Sequence, residues 1–265
     1  MKPVAALAAA AVSFLFALPA SAFTLDDRCT VPGNLAQAGQ VLPHVSAAIA
    51  NRAPLKIVAL GSSSTAGTGA SSVRATYPYM LKVDLGERLG RAVEVANKGI
   101  GGESARQMIA RIDRDVAAEH PALVIWQTGT NDFLQDVPVA TFAAQLHDGI
   151  ARLRATGADV VLMEPQYMRR PVHDGSYRRY VVTMRTVAAA EHVPVLRRYD
   201  IMAYWLDTKH FDMATMLSHD GLHMVDASYG CISEVAADLI ENGLDPKVRQ
   251  VVAHHAVAID QTTSR

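Results

Sequence analysis

Five short apolar runs, each followed by a stretch with helical spacing, constrain the fold of this chain more than any other feature. The runs are Leu55–Leu60, Ala92–Ala96, Ala122–Gln127, Asp159–Met163 and Val193–Leu196. Each has the length of a β-strand, and strands that alternate with helices form parallel sheets covered by helices on both faces. We therefore predict an α/β protein with one domain: a three-layer α/β/α sandwich around a five-stranded parallel sheet.

The segments between these runs carry the apolar spacing of helices that cover a sheet. Apolar residues three or four positions apart mark the segments Leu81–Leu89, Ala105–Val116, Phe142–Leu153, Tyr177–Val187 and Ile232–Leu239. No repeat, proline-rich linker or change in composition divides the chain, so one domain is preferred over two.

The first 22 residues have the pattern of a secretory signal peptide. Lys2 precedes an apolar run over residues 4–18, and Ala20-Ser21-Ala22 resembles a cleavage site. The run is shorter than the ~20 residues that span a bilayer, which disfavours an uncleaved anchor. We therefore predict cleavage after residue 22, export to the periplasm or the medium, and no stable membrane insertion afterwards. The rest divides into an arm (23–54), the domain (55–244) and a tail (245–265).

Charge and cysteine content exclude several classes of protein. The formal charge of -1 at pH 7 disfavours nucleic acid as a partner, because nucleic-acid-binding domains carry basic patches. Two cysteines are too few for a disulfide scaffold or a zinc site of four thiolates. An oxidising compartment permits a disulfide between Cys29 and Cys231, and two buried free thiols are the alternative.

Four polar or glycine-rich strings mark candidate functional loops. They are Gly61–Gly67, Asn97–Ser104, Gly129–Asp132 and Asp220–His223. The first three follow the first three predicted strands, and ligands of open parallel sheets bind at the carboxyl ends of the strands. These strings are therefore expected to meet at one edge of the sheet.

The residue types in these strings suit nucleophilic catalysis, although each string has an alternative interpretation. A serine at a strand-to-helix turn can act as a nucleophile, whereas a flexible Ser/Gly turn is equally consistent with the composition. A phosphate-binding loop is disfavoured because Ala66-Gly67-Thr68 lacks the lysine of that motif. The glycines can direct N–H groups at a negative charge, and they fit a dinucleotide fingerprint poorly. An Asp three residues before a His can orient the imidazole, and no further residues at ligand spacing favour a metal.

Taken together and in this order, the four strings resemble the four blocks of the SGNH (GDSL-type) hydrolases. The resemblance extends from about Lys56 to Leu239. It implies the SGNH-hydrolase fold, which is flavodoxin-like, and an enzyme without a cofactor or metal. One position departs from the family pattern: Ser62 stands where the first block usually has an aspartate.

The resemblance also implies a role for individual residues. Ser63 aligns with the nucleophile, His223 with the base and Asp220 with the carboxylate that orients the base. The oxyanion hole would consist of the backbone N–H groups of Ser63 and Gly102 and the side-chain amide of Asn131.

On this basis the expected function is that of an exported serine esterase that hydrolyses carboxylic esters through an acyl-enzyme. The expected substrate is a small-molecule or saccharide ester with an acetyl or other short acyl group, and the oligomeric state is left open. An O-acyltransferase acting on a polysaccharide, a lysophospholipase or thioesterase, and an inactive polysaccharide-binding module are the alternatives. Tyr167, Arg169 and Arg170 are candidate substrate contacts, and a solvated loop is the alternative for that segment.

Overall fold

The computed structural model describes residues 27–168 and 175–253, and the described part confirms the predicted parallel sheet. Its strands are β1 (Leu55–Gly61), β2 (Val93–Gly99), β3 (Leu123–Gln127), β4 (Asp159–Met163) and β5 (Val195–Leu196). All neighbouring strands are parallel, in the order β2-β1-β3-β4-β5. The predicted signal peptide, Arg169 and Arg170, and residues 254–265 lie outside the described residues.

Helices fill the connections between the strands and cover both faces of the sheet. In chain order they are α1 (Pro43–Ala50), α2 (Ser63–Ala66), α3 (Tyr77–Arg88), α4 (Ala105–Ile109), α5 (Ile112–Asp115), α6 (Thr130–Leu134), α7 (Val139–Ala155), α8 (Ser176–Ala190), α9 (Arg198–Asp207), α10 (Met213–Met216) and α11 (Asp226–Asn242). Short 3₁₀ turns lie at Asp27–Cys29, Gly33–Leu35, Val73–Ala75 and Ala117–Glu119. Among the described residues, no helix is long and apolar enough to cross a lipid bilayer.

The buried residues form an apolar layer on each side of the sheet. Successive residues of β1 point to opposite faces, so Ile57 and Ala59 join one layer while Val58 and Leu60 join the other. Helices α3, α9 and α11 complete the first layer, and α4, α7 and α8 complete the second. Each fully buried Leu or Ile stabilises the fold by about 1.5–3 kcal/mol relative to an exposed one. Because an apolar layer and helices cover each face of the sheet, the predicted three-layer sandwich is confirmed.

Strand β2 and the helix predicted over Ala105–Val116 differ from the sequence prediction. Strand β2 continues to Gly99 instead of ending near Ala96, because it is an edge strand and its polar residues, such as Asn97, face solvent. The helix predicted over Ala105–Val116 is divided into α4 and α5, and the chain turns at Arg111. The guanidinium of Arg111 points inward at this turn and donates hydrogen bonds to backbone oxygens at the ends of β1 and β2.

The N-terminal segment packs onto the same core as the sheet. Leu42 and Val45 are buried in the layer formed by α3, α9 and α11. Cys29 and Cys231 form a disulfide that joins this segment to α11, with Cα atoms 4.7 Å apart. Of the two alternatives for these cysteines, a disulfide and two buried free thiols, the structure has the disulfide.

Candidate active site

The turn between β1 and α2 presents a serine at the carboxyl edge of the sheet. Strand β1 ends at Gly61 and helix α2 begins at Ser63, which is partly exposed. The end of β2 lies so close to this turn that a Cβ on Gly99 would stand 2.1 Å from the backbone nitrogen of Ala66. Glycine at position 99 therefore allows the turn to pack against the sheet and hold Ser63 at its edge.

Ser63, His223 and Asp220 form a continuous hydrogen-bonded chain. His223 Nε2 lies 2.8 Å from Ser63 Oγ, and His223 Nδ1 lies 2.6 Å from Asp220 Oδ2. This places the two ring nitrogens between a hydroxyl and a carboxylate, although Ser63 and His223 are 160 positions apart in the sequence. The arrangement matches the geometry required of a nucleophile, its base and the group that orients the base.

The loop before α11 fixes the carboxylate of Asp220 and keeps it ionised. Asp220 Oδ1 accepts hydrogen bonds from the Ser218 hydroxyl at 2.6 Å and from the backbone N–H groups of Leu222 and His223 at 2.9 Å. Partial burial by itself would raise the pKa of Asp220, but the hydrogen bonds from His223, Ser218 and the backbone hold that pKa well below its usual range. A permanently charged Asp220 stabilises an imidazolium at His223.

The serines on either side of Ser63 are engaged elsewhere. Ser62 and Ser64 are only 2% and 1% exposed. The Ser62 hydroxyl donates to Gln127 Oε1 at 3.1 Å, and the Ser64 hydroxyl donates to Gln166 Oε1 at 2.7 Å. Of these three neighbouring hydroxyls, only that of Ser63 is in contact with the imidazole of His223.

The glycine string passes beside Ser63 and is bonded to Asn131. A Cβ on Gly101 would lie 3.9 Å from Ser63 Cβ, so this loop is within van der Waals distance of the serine. The Asn131 side-chain amide donates to the backbone oxygen of Glu103 at 2.9 Å, which fixes the amide against the loop that carries Gly102. Ser63, as the first residue of α2, has a backbone N–H without an acceptor inside its own helix. The loop that carries Gly102 therefore lies next to Ser63 and is bonded to Asn131, and the role of these groups as oxyanion donors stays a prediction.

The buried carboxylate of Asp132 joins the N-terminus of α4 to the turn that follows β3. Asp132 is fully buried and accepts hydrogen bonds from the backbone N–H groups of Ala105 and Gly129 and from the Thr128 hydroxyl. Burial raises the pKa of Asp132, and these hydrogen bonds partly offset that effect. The N-terminus of α4 is therefore held against the turn that carries Asn131.

Sequence reasoning missed two glutamines that organise the site. Gln127 Oε1 accepts from the backbone N–H of Ser62 at 2.9 Å and from the hydroxyls of Ser62 and Thr65. Gln166 binds Ser64 and donates from Nε2 to the backbone oxygen of Leu222 at 2.9 Å, so it links the serine turn to the histidine loop. The position of Gln127 at the end of a buried apolar strand is a sequence signal that could have identified it.

Of the candidate substrate contacts, Tyr167 falls within the described residues. It is partly buried, packs against Tyr199 with ring centroids 5.4 Å apart, and directly follows Gln166. Arg169 and Arg170 lie outside the described residues, so their predicted role remains a prediction. Within residues 27–168 and 175–253, no group of three or more His, Cys, Asp or Glu side chains is arranged to hold a metal ion.

Known proteins similar to this chain include esterases and a lipase/acylhydrolase. An arylesterase from Vibrio mimicus is 29% identical over 198 residues, which is 73% of this chain and 92% of that protein. The crystal structure of a lipase/acylhydrolase from Enterococcus faecalis has a TM-score of 0.63 and 26% identity, and the match covers 72% of this chain and 98% of that one. An acetyl xylan esterase has the same fold, with a TM-score of 0.58, 22% identity and coverage of 68% and 97%.

A family model settles the classification of the chain. The model of the non-GDSL lipase-like family matches residues 28–246, which include the serine turn, the glycine loop, Asn131 and the histidine loop. The similar proteins support the same class of enzyme. The chain therefore belongs to the non-GDSL lipase-like family, and it is an SGNH-type hydrolase that acts on ester bonds.

Proposed function

We propose that this hydrolase is an exported serine esterase that removes acetyl or other short acyl groups from a carbohydrate through an acyl-enzyme on Ser63. The observation that carries the proposal is the hydrogen-bonded chain from Ser63 Oγ through both ring nitrogens of His223 to Asp220, with distances of 2.8 and 2.6 Å. That chain can activate a hydroxyl at neutral pH without a metal or cofactor.

The first half of the reaction transfers the acyl group from the ester to Ser63. Ser63 Oγ attacks the ester carbonyl carbon while His223 Nε2 accepts the hydroxyl proton, and Asp220 stabilises the resulting imidazolium. The carbonyl oxygen becomes an oxyanion that accepts hydrogen bonds from the N–H groups of Ser63 and Gly102 and from the Asn131 amide. The carbon–oxygen bond to the alcohol then breaks, His223 returns the proton to the alcohol, and the acyl group remains on Ser63.

Water completes the reaction by the same steps. His223 takes a proton from a water molecule, whose oxygen attacks the acyl carbon and forms a second oxyanion in the same hole. The bond to Ser63 Oγ then breaks, the proton passes from His223 to Ser63, and the carboxylic acid leaves. A sugar hydroxyl in place of water would turn the same machinery into an acyltransferase.

Similar proteins support the choice of a short acyl group on a sugar. They include an acetyl xylan esterase and a two-domain esterase active on acetylated mannans, at 22% and 18% identity. Export is supported by the signal-peptide pattern of residues 1–22.

The nucleophile is tested by a matched pair of variants. We expect Ser63→Ala to abolish hydrolysis of p-nitrophenyl acetate, whereas Ser64→Ala retains most of the kcat because the Ser64 hydroxyl contacts Gln166 and not His223. Circular dichroism confirms that both variants are folded. An equal loss in the two folded variants would contradict the assignment of Ser63.

The substrate is tested by a panel of esters graded by acyl length and alcohol. The panel contains p-nitrophenyl acetate to palmitate, acetylated xylan and a lysophospholipid, with and without candidate sugars as acceptors. We expect kcat/KM to be highest for acetyl esters, with release of acetate from xylan. Preference for the palmitate ester or the lysophospholipid, or transfer to sugar in place of acetate release, would overturn this part of the proposal.

Export is tested separately by fractionation of cells that express the full chain. We expect the esterase activity in the periplasm or medium, on a mature protein whose first residue is residue 23. A variant without residues 1–22 should remain in the cytoplasm. A mature protein that still starts at residue 1 would contradict the predicted cleavage.

A further inference from the structure

A buried arginine joins the ends of two strands to the loop that carries the oxyanion donors. Arg111 is only 6% exposed. One terminal nitrogen donates to the backbone oxygens of Gly61 at 3.1 Å and Lys98 at 2.8 Å. Its Nε donates to the Glu103 carboxylate at 2.7 Å, and its other terminal nitrogen donates to Asp115 at 2.8 Å. The guanidinium therefore fixes the strand ends from which the serine turn and the glycine loop begin.

Glu103 connects this arginine to Asn131. Its carboxylate binds Arg111, while its backbone oxygen accepts the hydrogen bond from the Asn131 amide at 2.9 Å. The neighbouring backbone oxygen of Gly102 accepts from Gln135 Nε2 at 2.8 Å. A side-chain amide has two N–H donors, so the bond to Glu103 fixes the plane of the Asn131 amide and leaves the other N–H for an oxyanion.

The energetic balance argues against a merely stabilising role for this arginine. Removal of a guanidinium from water costs several kcal/mol, and well-packed apolar residues often stabilise a buried position as well or better. What a planar guanidinium provides in addition is a fixed geometry, because its N–H groups bind two backbone oxygens and two carboxylates at once. The neighbouring Arg114 is 70% exposed and also binds Asp115, but it reaches neither strand end.

We propose that Arg111 and Glu103 are positioning residues that hold the Gly102 loop and the Asn131 amide in the geometry that stabilises the oxyanion. The proposal rests on the proposed function, since it concerns the oxyanion hole of that reaction. Donors that are already oriented stabilise the transition state without reorganisation, and a displacement of about 1 Å can cost on the order of 100-fold in rate.

A comparison of an oxoester with the matching thionoester isolates this role. Sulfur is larger than oxygen and a weaker hydrogen-bond acceptor, so an intact oxyanion hole favours the oxoester. The kcat/KM ratio of the two esters therefore reports the hole, whereas a loss of folded enzyme lowers both values and leaves the ratio unchanged. The variants are Arg111→Met, Glu103→Ala and the conservative Glu103→Gln, with Arg114→Met as the exposed control.

We expect Arg111→Met and Glu103→Ala to lower the kcat for the oxoester by about ten- to 100-fold and to lower the oxoester/thionoester ratio. Glu103→Gln, which retains an acceptor for Arg111, restores most of the ratio, and Arg114→Met keeps the wild-type ratio. An unchanged ratio in folded Arg111→Met or, should that variant not fold, in Glu103→Ala would overturn the proposal. A wild-type enzyme that does not hydrolyse the oxoester, or an Asn131→Ala variant with the wild-type ratio, would instead contradict the proposed function.

Discussion

Gly69 occupies a position between the serine turn and the histidine loop where no side chain fits. Its φ is +92°, and a Cβ there would lie 2.3 Å from the backbone oxygen of Met224 and 3.1 Å from His223 Cβ. Two residues later, the backbone N–H and the hydroxyl of Ser71 both donate to the carboxylate of Asp226. The loop after α2 is therefore held close to His223 Cβ and to the start of α11.

We expect Gly69→Ala to lower the kcat for p-nitrophenyl acetate by about tenfold or more, because the added methyl group displaces His223 from Ser63. Gly157→Ala is the matched control, since Gly157 also has a positive φ (+82°) but has nothing within 4 Å of its Cβ position. Backbone strain should cost each variant on the order of 1 kcal/mol of stability, and Gly69→Ala should lose more, because its methyl group also overlaps the backbone oxygen of Met224. Steady-state kinetics that show the same kcat loss in both variants would contradict the positioning of His223 by this loop.

At the scale of the elements, the accuracy of the sequence prediction depends on how each element is buried. Strand β4 lies inside the sheet and is buried along its whole length, so its apolar run coincided with the observed bounds Asp159–Met163. Strand β2 at the edge could not be delimited, because its last residues are polar. Helix α9 was missed because it begins with the fully buried Arg198, a residue type that apolar patterns assign to the surface.

The sequence predicted the three residues of the hydrogen-bonded chain in the site, but not the two glutamines that support it. Ser63, Asp220 and His223 stand in short strings whose order along the chain is informative, and the structure brings them into contact. The contacts of Gln127 and Gln166 with the serine turn join residues 65 and 102 positions apart. A local pattern can mark Gln127 as unusual, but it does not identify the partner in such a contact, which is fixed only when the sheet has formed.

A surface cluster at the edge of the sheet makes the stability of these elements depend on pH. Glu119, which lies just before β3, binds Lys98 of β2 at 2.6 Å and Lys56 of β1 at 2.9 Å. Hydrogen bonds from Lys98 and Lys56 lower the pKa of Glu119 from 4.5 to about 2. Because the pKa is lower in the folded state, the ionised carboxylate stabilises the fold above pH 4.5, and this contribution is lost as the pH falls toward 2.

We therefore expect Glu119→Gln to lower the Tm at pH 7 by more than it does at pH 3, as measured by thermal unfolding at both values. Glu94→Gln is the control, because Glu94 is exposed and lies 3.8 Å from Lys56. A Tm difference between wild type and Glu119→Gln that does not shrink at pH 3 would show that the ionised carboxylate does not stabilise the sheet edge.

At the scale of the whole molecule, the disulfide joins the start of the described chain to its last long helix. Cys29 and Cys231 are separated by 202 positions, so the bond closes most of the chain into one loop. The cross-link attaches the N-terminal segment to α11, which begins three residues after His223. Such a bond limits the conformational freedom of the unfolded chain, and the effect increases with the length of the loop.

We expect Cys29→Ser to lower the free energy of unfolding by about 2–5 kcal/mol in urea titrations. Dithiothreitol should lower the free energy of unfolding of the wild-type protein by the same amount. It should leave the free energy of unfolding of Cys29→Ser unchanged. Equal stability of oxidised and reduced wild-type protein would mean that the disulfide contributes nothing to the fold in solution.

The central claim, that Ser63 is the nucleophile of an ester hydrolase, is tested most directly by covalent labelling with a fluorophosphonate. Peptide mass spectrometry of the inactivated wild-type enzyme should place one phosphonyl group on Ser63, whose hydroxyl alone among the three adjacent serines contacts His223. Ser64→Ala should be labelled at a similar rate, and Ser63→Ala should not react. A phosphonyl group on Ser62 or Ser64, or unchanged labelling of Ser63→Ala, would contradict the account.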